Sequence, residues 1–169
     1  MMLIYEAIKF ADRRHKGQKR KATGLPYITH PIAVSYLLAQ YKVSKRLEEL
    51  VAACILHDVL EDTKTTHAQL ARKFGALVAS LVYELTNDPV QVAKVGKAAY
   101  QRAKMAGMSN YGLLCKLVDR LHNIMDNPSK KMVQETVDLM GHLRKVRKLT
   151  GTQLRIVGDI EKRCAELAG

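Results

Sequence analysis

The chain has no tryptophan and only two phenylalanines among 169 residues. Aromatic residues amount to 5%, which leaves little platform for stacking unpaired bases and weighs against a dedicated single-strand binder. Cys54, Cys115 and Cys164 are odd in number, sit in apolar helical contexts and form no CxxC spacing. That argues against both a structural zinc site and a disulfide framework, and a reducing cytoplasm is the expected setting. No apolar run approaches the ~20 residues that a membrane helix needs. The first residues, MMLIYEAIKFADRRHK, lack the basic-then-apolar order of a signal peptide. Strand-like alternation is almost absent too. Acidic residues are scarce: 16 Asp plus Glu face 28 Lys plus Arg, a net charge of +12. Such a field attracts polyanions, whether nucleic acid, anionic membrane or small phosphorylated molecules. The basic residues concentrate in residues 13–21 and 130–148.

What the chain does have is helical periodicity. Leu3, Ile4, Ala7, Ile8 and Ala11 make a first apolar stripe that should end before Gly17. The basic segment GQKRKATGLPYITHP reads as a loop, and Pro31 suits the first turn of a second helix. That places His30 at the helix entrance. Ser44 is expected to cap a third helix, which runs through Leu47, Leu50, Val51 and Cys54 into the stretch that follows. Thr66 and Gln69 form a capping box, with Gly75 as the stop. Asn87-Asp88-Pro89 breaks the chain before a polar helix over residues 90–106, and Ser109 can cap the next one, YGLLCKLVDRLHNIMD. Two further helices should divide near Gly151, the last with a seam of Val157, Ile160, Cys164 and Leu167 for packing on the body or on another subunit. The expected fold is all-α, a single domain over residues 1–169 with about eight helices.

One stretch stands out, AACILHDVLEDT at residues 52–63. It holds His57, Asp58, Glu61 and Asp62, and residues three and four apart share one helix face. The surrounding Cys54, Ile55, Leu56, Val59 and Leu60 predict a largely buried helix. Carboxylates crowded on a buried turn repel one another unless a cation or a shared proton sits among them. Two more candidates come from elsewhere: His30, and Asp119 in an otherwise aliphatic stretch with Asn123 one turn on. Two imidazoles and two carboxylates suit manganese, iron or zinc and lack the sulfur ligands of a structural zinc site.

The segments HKGQKRKATGLPYITHP, ILHDVLEDT, FGALVASLVYELT and KLVDRLHN occur in this order. Through them the chain resembles the HD-domain hydrolases of the RelA/SpoT homologue family, specifically the single-domain small alarmone hydrolases. The resemblance covers residues 3–126 and implies an HD-domain helical bundle. It implies manganese-dependent hydrolysis of guanosine 3′,5′-bis(diphosphate) and the pentaphosphate, with pyrophosphate leaving the ribose 3′ position. By the same resemblance His30, His57, Asp58 and Asp119 would hold one divalent ion, manganese or another. Glu61 and Asp62 would be the catalytic acidic pair, Arg20 and Lys21 the nucleotide-contacting basic pair, and Asn123 a ribose contact. Many relatives carry an arginine soon after that asparagine, where this chain has Met125; residues 90–109 match poorly, and beyond Pro128 the resemblance is faint. No synthetase domain follows, so synthesis of the alarmone is not expected.

His15 and His122 read as structural or supporting residues, and Tyr27 and Thr29 as serving the loop. The expected partner is a small guanine nucleotide, with no membrane and no specific nucleic acid; an oligomer stays open. Two other functions are carried alongside. One is an HD phosphohydrolase acting on another nucleotide, such as a dinucleotide 2′-phosphate like that of NADPH. The other is a non-catalytic nucleic-acid-binding helical domain, suggested by the charge.

Overall fold

The computed structural model describes residues 2–168, and helices dominate it. The chain divides into two compact units between Thr86 and Asn87. The all-α expectation holds, and the only β pairing among the described residues is an isolated bridge between Lys19 and Pro26. No described helix is long and apolar enough to cross a membrane.

The first unit contains α1 (Met2–Arg14), α2 (Thr29–Tyr41), α3 (Leu47–Leu56), α4 (Val59–Asp62), α5 (His67–Phe74) and α6 (Ala76–Leu85). Helix α3 is its centre, because α1, α2 and α6 all pack against it. Every residue of α3 from Leu50 to Leu56 is buried, which only a helix apolar on all sides tolerates. Thr66 caps α5 reciprocally with Gln69, as the sequence predicts. Gly75, at φ 86°, then turns the chain directly into α6; a side chain there would meet the left-handed penalty that glycine avoids.

Two of the expected helices are interrupted, so the helical segments outnumber the runs of apolar periodicity. The third helix stops at Leu56 and restarts at Val59, leaving His57 and Asp58 in a turn. Asp58 sits at φ −100°, ψ −4°, in the sparsely populated bridge region where many active-site residues are found. Apolar residues lie on both sides of the turn, with Leu56 and Val59 both buried, so periodicity runs straight through it. Ser44 also behaves differently from expectation. Its hydroxyl accepts from the Arg46 N–H at 3.1 Å, so it closes the turn ahead of α3, and Arg46 takes the N-cap position without a side-chain cap.

The second unit contains α7 (Pro89–Val95), α8 (Lys97–Gly107), α9 (Asn110–Met125), α10 (Lys130–Val146) and α11 (Gly151–Ala168). Asp88 caps α7 by accepting from the Val90 and Gln91 N–H groups, with Pro89 at the first helical position. The single polar helix expected here is split by Gly96, whose φ of 81° ends α7 and starts α8. Helix α9 packs on α11 and α10, and residues 112–119 along it are all buried. Past the end of α10, Arg147 donates to the carbonyls of Met105, Ala106 and Met108 and to Asn110 Oδ1, at 2.9–3.3 Å. One guanidinium thus satisfies carbonyls at the end of α8 that the helix itself cannot.

Candidate metal centre

In the first unit the site is built on two backbone features, the α3–α4 turn and the loop from α1 to α2. That loop is a tight hairpin. The Arg20 N–H donates to Leu25 O and the Gly24 N–H to Arg20 O, both at 2.8 Å, and the Tyr27 N–H returns to Gln18 O at 3.0 Å. A further turn, closed by the His30 N–H on Tyr27 O at 3.0 Å, delivers His30 into the first turn of α2, where Pro31 follows it. Both His30 and His57 are buried. Their rings lie 5.1 Å apart edge to face, and a nitrogen of each comes within 4.8 Å of the other.

Asp58 is where these groups converge. Its Oδ2 lies 2.8 Å from His57 Nε2 and 4.0 Å from His30 Nε2, and it accepts the hydroxyl of Tyr27. The tautomer of His57 follows from its other nitrogen. Nδ1 faces the Cys54 carbonyl at 2.7 Å, and a carbonyl only accepts, so Nδ1 carries the hydrogen. In the neutral imidazole Nε2 then presents a lone pair to a carboxylate oxygen. Two lone pairs at that distance repel unless a proton or a cation bridges them. A histidine whose back nitrogen is pinned to a carbonyl is also how proteins orient imidazole ligands toward metal. The residues present therefore fit a divalent ion: nitrogen and carboxylate donors, no thiolate, and a fixed tautomer.

Glu61 and Asp62 complete the turn through N–H bonds to Asp58 O at 3.1 and 2.9 Å. Both side chains are exposed, which corrects the expectation that all three carboxylates share a buried turn: only Asp58 is partly covered. The break after Leu56 swings the acidic end of the segment outward. The Asp62 carboxyl is nonetheless pushed above the usual carboxylate range, first by desolvation and then by the neighbouring charges of Asp58 and Glu61, while His15 and His57 oppose the shift. Arg20 is half-buried with its guanidinium carbon 5.9 Å from the Tyr27 ring centre. Lys21 is exposed at the tip of the hairpin.

In the second unit Asp119 is buried on α9 and held on both oxygens by its own helix. Lys116 Nζ donates to Oδ2 at 2.9 Å, and Asn123 Nδ2 donates to Oδ1 at 2.7 Å and to the Asp119 carbonyl at 3.0 Å. Asn123 thus spends its amide hydrogens on orienting Asp119. Met125 is exposed near the end of the same helix.

Sequence reasoning undervalued Tyr27 and Lys116. Tyr27 reads as a loop residue, yet its ring lies beside both His15 and His30, at 4.7 and 5.9 Å, and its hydroxyl reaches Asp58. The available signal was the spacing of Lys116 three residues before Asp119, which a helix converts into contact. For Tyr27 no local signal existed, because its direction is set by the hairpin bond to Gln18.

Comparison with known proteins places the arrangement. An HD domain model matches residues 7–146, and the chain belongs to the HD-domain family, in the branch of the SpoT and MESH1 proteins. Its relatives include the guanosine-3′,5′-bis(diphosphate) 3′-pyrophosphohydrolase of Aquifex aeolicus, 35% identical over 83% of this chain; the match spans about a fifth (21%) of that longer protein. The Xenopus tropicalis guanosine-3′,5′-bis(diphosphate) 3′-pyrophosphohydrolase MESH1 is 32% identical over 94% of this chain and 91% of its own length. Among solved structures, one described as a metazoan ortholog of SpoT that hydrolyzes ppGpp superposes with a TM-score of 0.78 at 27% identity, covering 96% of each chain.

Proposed function

We propose that this chain is a guanosine-3′,5′-bis(diphosphate) 3′-pyrophosphohydrolase that also takes the pentaphosphate, acting as one HD domain with manganese as its resident ion. The observation that carries the proposal is His57, whose Nδ1 donates to the Cys54 carbonyl while its Nε2 faces Asp58 Oδ2 at 2.8 Å. Relatives that match along most of their length bear the name of this activity. The family match, residues 7–146, covers parts of both units. The proposed ligands are His30, His57, Asp58 and Asp119, the last on the strength of the KLVDRLHN segment. The three cysteines are buried and form no disulfide, in keeping with a reducing cytoplasm.

When bound, the ion supplies Lewis-acid polarisation of a phosphoryl oxygen and lowers the pKa of a water. The protein's own groups do the rest. The Cys54 carbonyl and the Tyr27 hydroxyl hold His57 and Asp58 in their working orientations. Arg20, half-covered beside Tyr27, and Lys21, free to swing from the hairpin tip, grip the base and phosphates. Asn123 fixes Asp119 and is the proposed ribose contact. Asp62, its carboxyl pushed up, and Glu61 beside it share proton handling: one accepts the proton of the attacking water while charge builds on the departing pyrophosphate.

The test is to incubate metal-loaded protein with guanosine tetraphosphate and resolve the products. GDP plus pyrophosphate is the expected outcome. Orthophosphate as the sole phosphorus product, or turnover confined to a dinucleotide 2′-phosphate such as that of NADPH in a parallel arm, would replace the proposed substrate.

A further inference from the structure

His15 lies in the basic run RRHKGQ yet is buried, and its hydrogen bonds fix its chemistry. Gln18 Nε2 reaches the Asp62 main-chain carbonyl at 3.2 Å. A carbonyl can only accept, so the amide nitrogen must point there and the amide oxygen must face the other way. That oxygen, Oε1, meets His15 Nδ1 at 2.7 Å, and it too can only accept. His15 is therefore protonated at Nδ1. Its Nε2 is buried and has no hydrogen-bond partner among the described residues, so one ring nitrogen is committed to Gln18 and the other is not. The ring also lies 4.7 Å from Tyr27, tilted by 36°, and Tyr27 bonds both the Gln18 carbonyl and Asp58.

We infer that His15 is a positioning residue for the reaction: through Gln18 it fixes the Asp62 main chain, and through Tyr27 it steadies the carboxylate of Asp58. The inference rests on the pyrophosphohydrolase activity proposed above. It ties the hairpin that carries Arg20 and Lys21 to the turn that carries the acidic pair, two segments 44 residues apart at the Gln18–Asp62 bond. A side chain needed only to fill space here could be a leucine or phenylalanine. The Nδ1–H donor gives the imidazole a task that no apolar residue performs, since without it the Gln18 amide is free to rotate and to leave Asp62. Outer-shell partners of this kind cost about 10–100-fold in activity when removed.

The two nitrogens can be told apart, because asparagine places a donor close to the Nδ1 position and glutamine close to the Nε2 position. Long-range proton–nitrogen NMR on the metal-free protein should show His15 as the Nδ1–H tautomer. In metal-saturated kinetics with guanosine tetraphosphate, H15A and H15Q should lower kcat by about 10–100-fold with KM changed only a few-fold. H15N should recover most of that loss. Should H15A unfold, Q18L keeps the imidazole, cuts the link to Asp62 and should show the same loss in kcat. An Nε2–H tautomer, or kcat at the wild-type value in a folded H15A or Q18L, would overturn the role. Failure of the wild-type protein to act on the tetraphosphate would instead overturn the proposed activity, and the tautomer would still report on His15.

Discussion

Replacing Tyr27 with phenylalanine removes a single hydroxyl and keeps the ring beside His15 and His30. The lost bond is one from a phenol to the carboxylate of Asp58. Hydrogen bonds to charged groups contribute about 1.5–3 kcal/mol, which at about 1.4 kcal/mol per tenfold is a factor of roughly 10–150. Two effects then compete. Without the phenol the carboxylate is more basic, which favours a cation. Without it the carboxylate also loses one of the contacts that orient it, beside His57 at 2.8 Å and His30 at the outer edge of contact, 4.0 Å. Orientation should win, because Asp58 sits in a turn rather than inside a helix and has less backbone support. Tyr27→Phe is therefore expected to weaken manganese binding about 10–100-fold, read as free ion by electron paramagnetic resonance in a titration. The thermal shift produced by adding metal should shrink with it, because a ligand stabilises only as far as it binds the folded state. Manganese affinity equal to or above that of the wild-type protein, in a variant that melts normally, would refute the orienting role.

Other changes separate the remaining parts of the site. Glu61→Gln and Asp62→Asn should keep metal, fold and nucleotide binding while single-turnover rates drop by roughly 10²–10⁴-fold; rates within a few-fold of wild type would remove the pair from proton handling. The same Asp62→Asn change has an opposite effect on stability. Asp62 holds its proton more tightly in the folded protein than in the unfolded chain, so it favours folding at low pH and loses that contribution as the pH rises and it ionises. In chelator, the variant should melt above wild type at neutral pH, and the gap should close as the pH falls to the ordinary value of 3.8; a gap independent of pH would contradict the shift. Arg20→Ala or Lys21→Ala should cost about tenfold or more in nucleotide affinity with metal content unchanged, as equilibrium dialysis with the product nucleotide would show. Asp119→Ala should lose metal and activity together, and bound metal at wild-type stoichiometry would take Asp119 out of the ligand set.

Much of the helical frame was legible from local chemistry. The Thr66–Gln69 box, the Ser109 cap and the restart at Asp88-Pro89 all depend on residues within one turn, and the backbone follows them. The interruptions were not legible, each for a physical reason. A lone glycine inside a helix costs only about 1 kcal/mol, so Gly96 alone does not mark a break, although its φ of 81° shows that the chain makes one there. The turn at His57 and Asp58 is flanked by buried apolar residues that keep the helical period, so no break in pattern marks it. His57 and Asp58 stand out only together with Glu61 and Asp62, as one cluster in apolar surroundings. The converging contacts on Asp58 do not, because the hairpin that aims Tyr27 is closed by backbone bonds that no side-chain pattern encodes. The exposure of Glu61 and Asp62 follows from the same hidden turn.

Arg147 has a temporal side. The carbonyls it gathers belong to Met105, Ala106 and Met108, between 39 and 42 residues earlier in the chain. At a synthesis rate of about 5–20 residues per second, those groups wait roughly 2–8 s for their partner. Until then water must serve them, and the end of α8 stays open to fraying. A nascent or proteolytically shortened chain that stops before Arg147 would carry that frayed end permanently. Lysine would lose the second arm, since Nη1 gathers the three carbonyls while Nη2 of the same planar fork reaches Asn110 Oδ1. The end of α8 thus waits on one codon, and α11, made later still, completes the packing on α9.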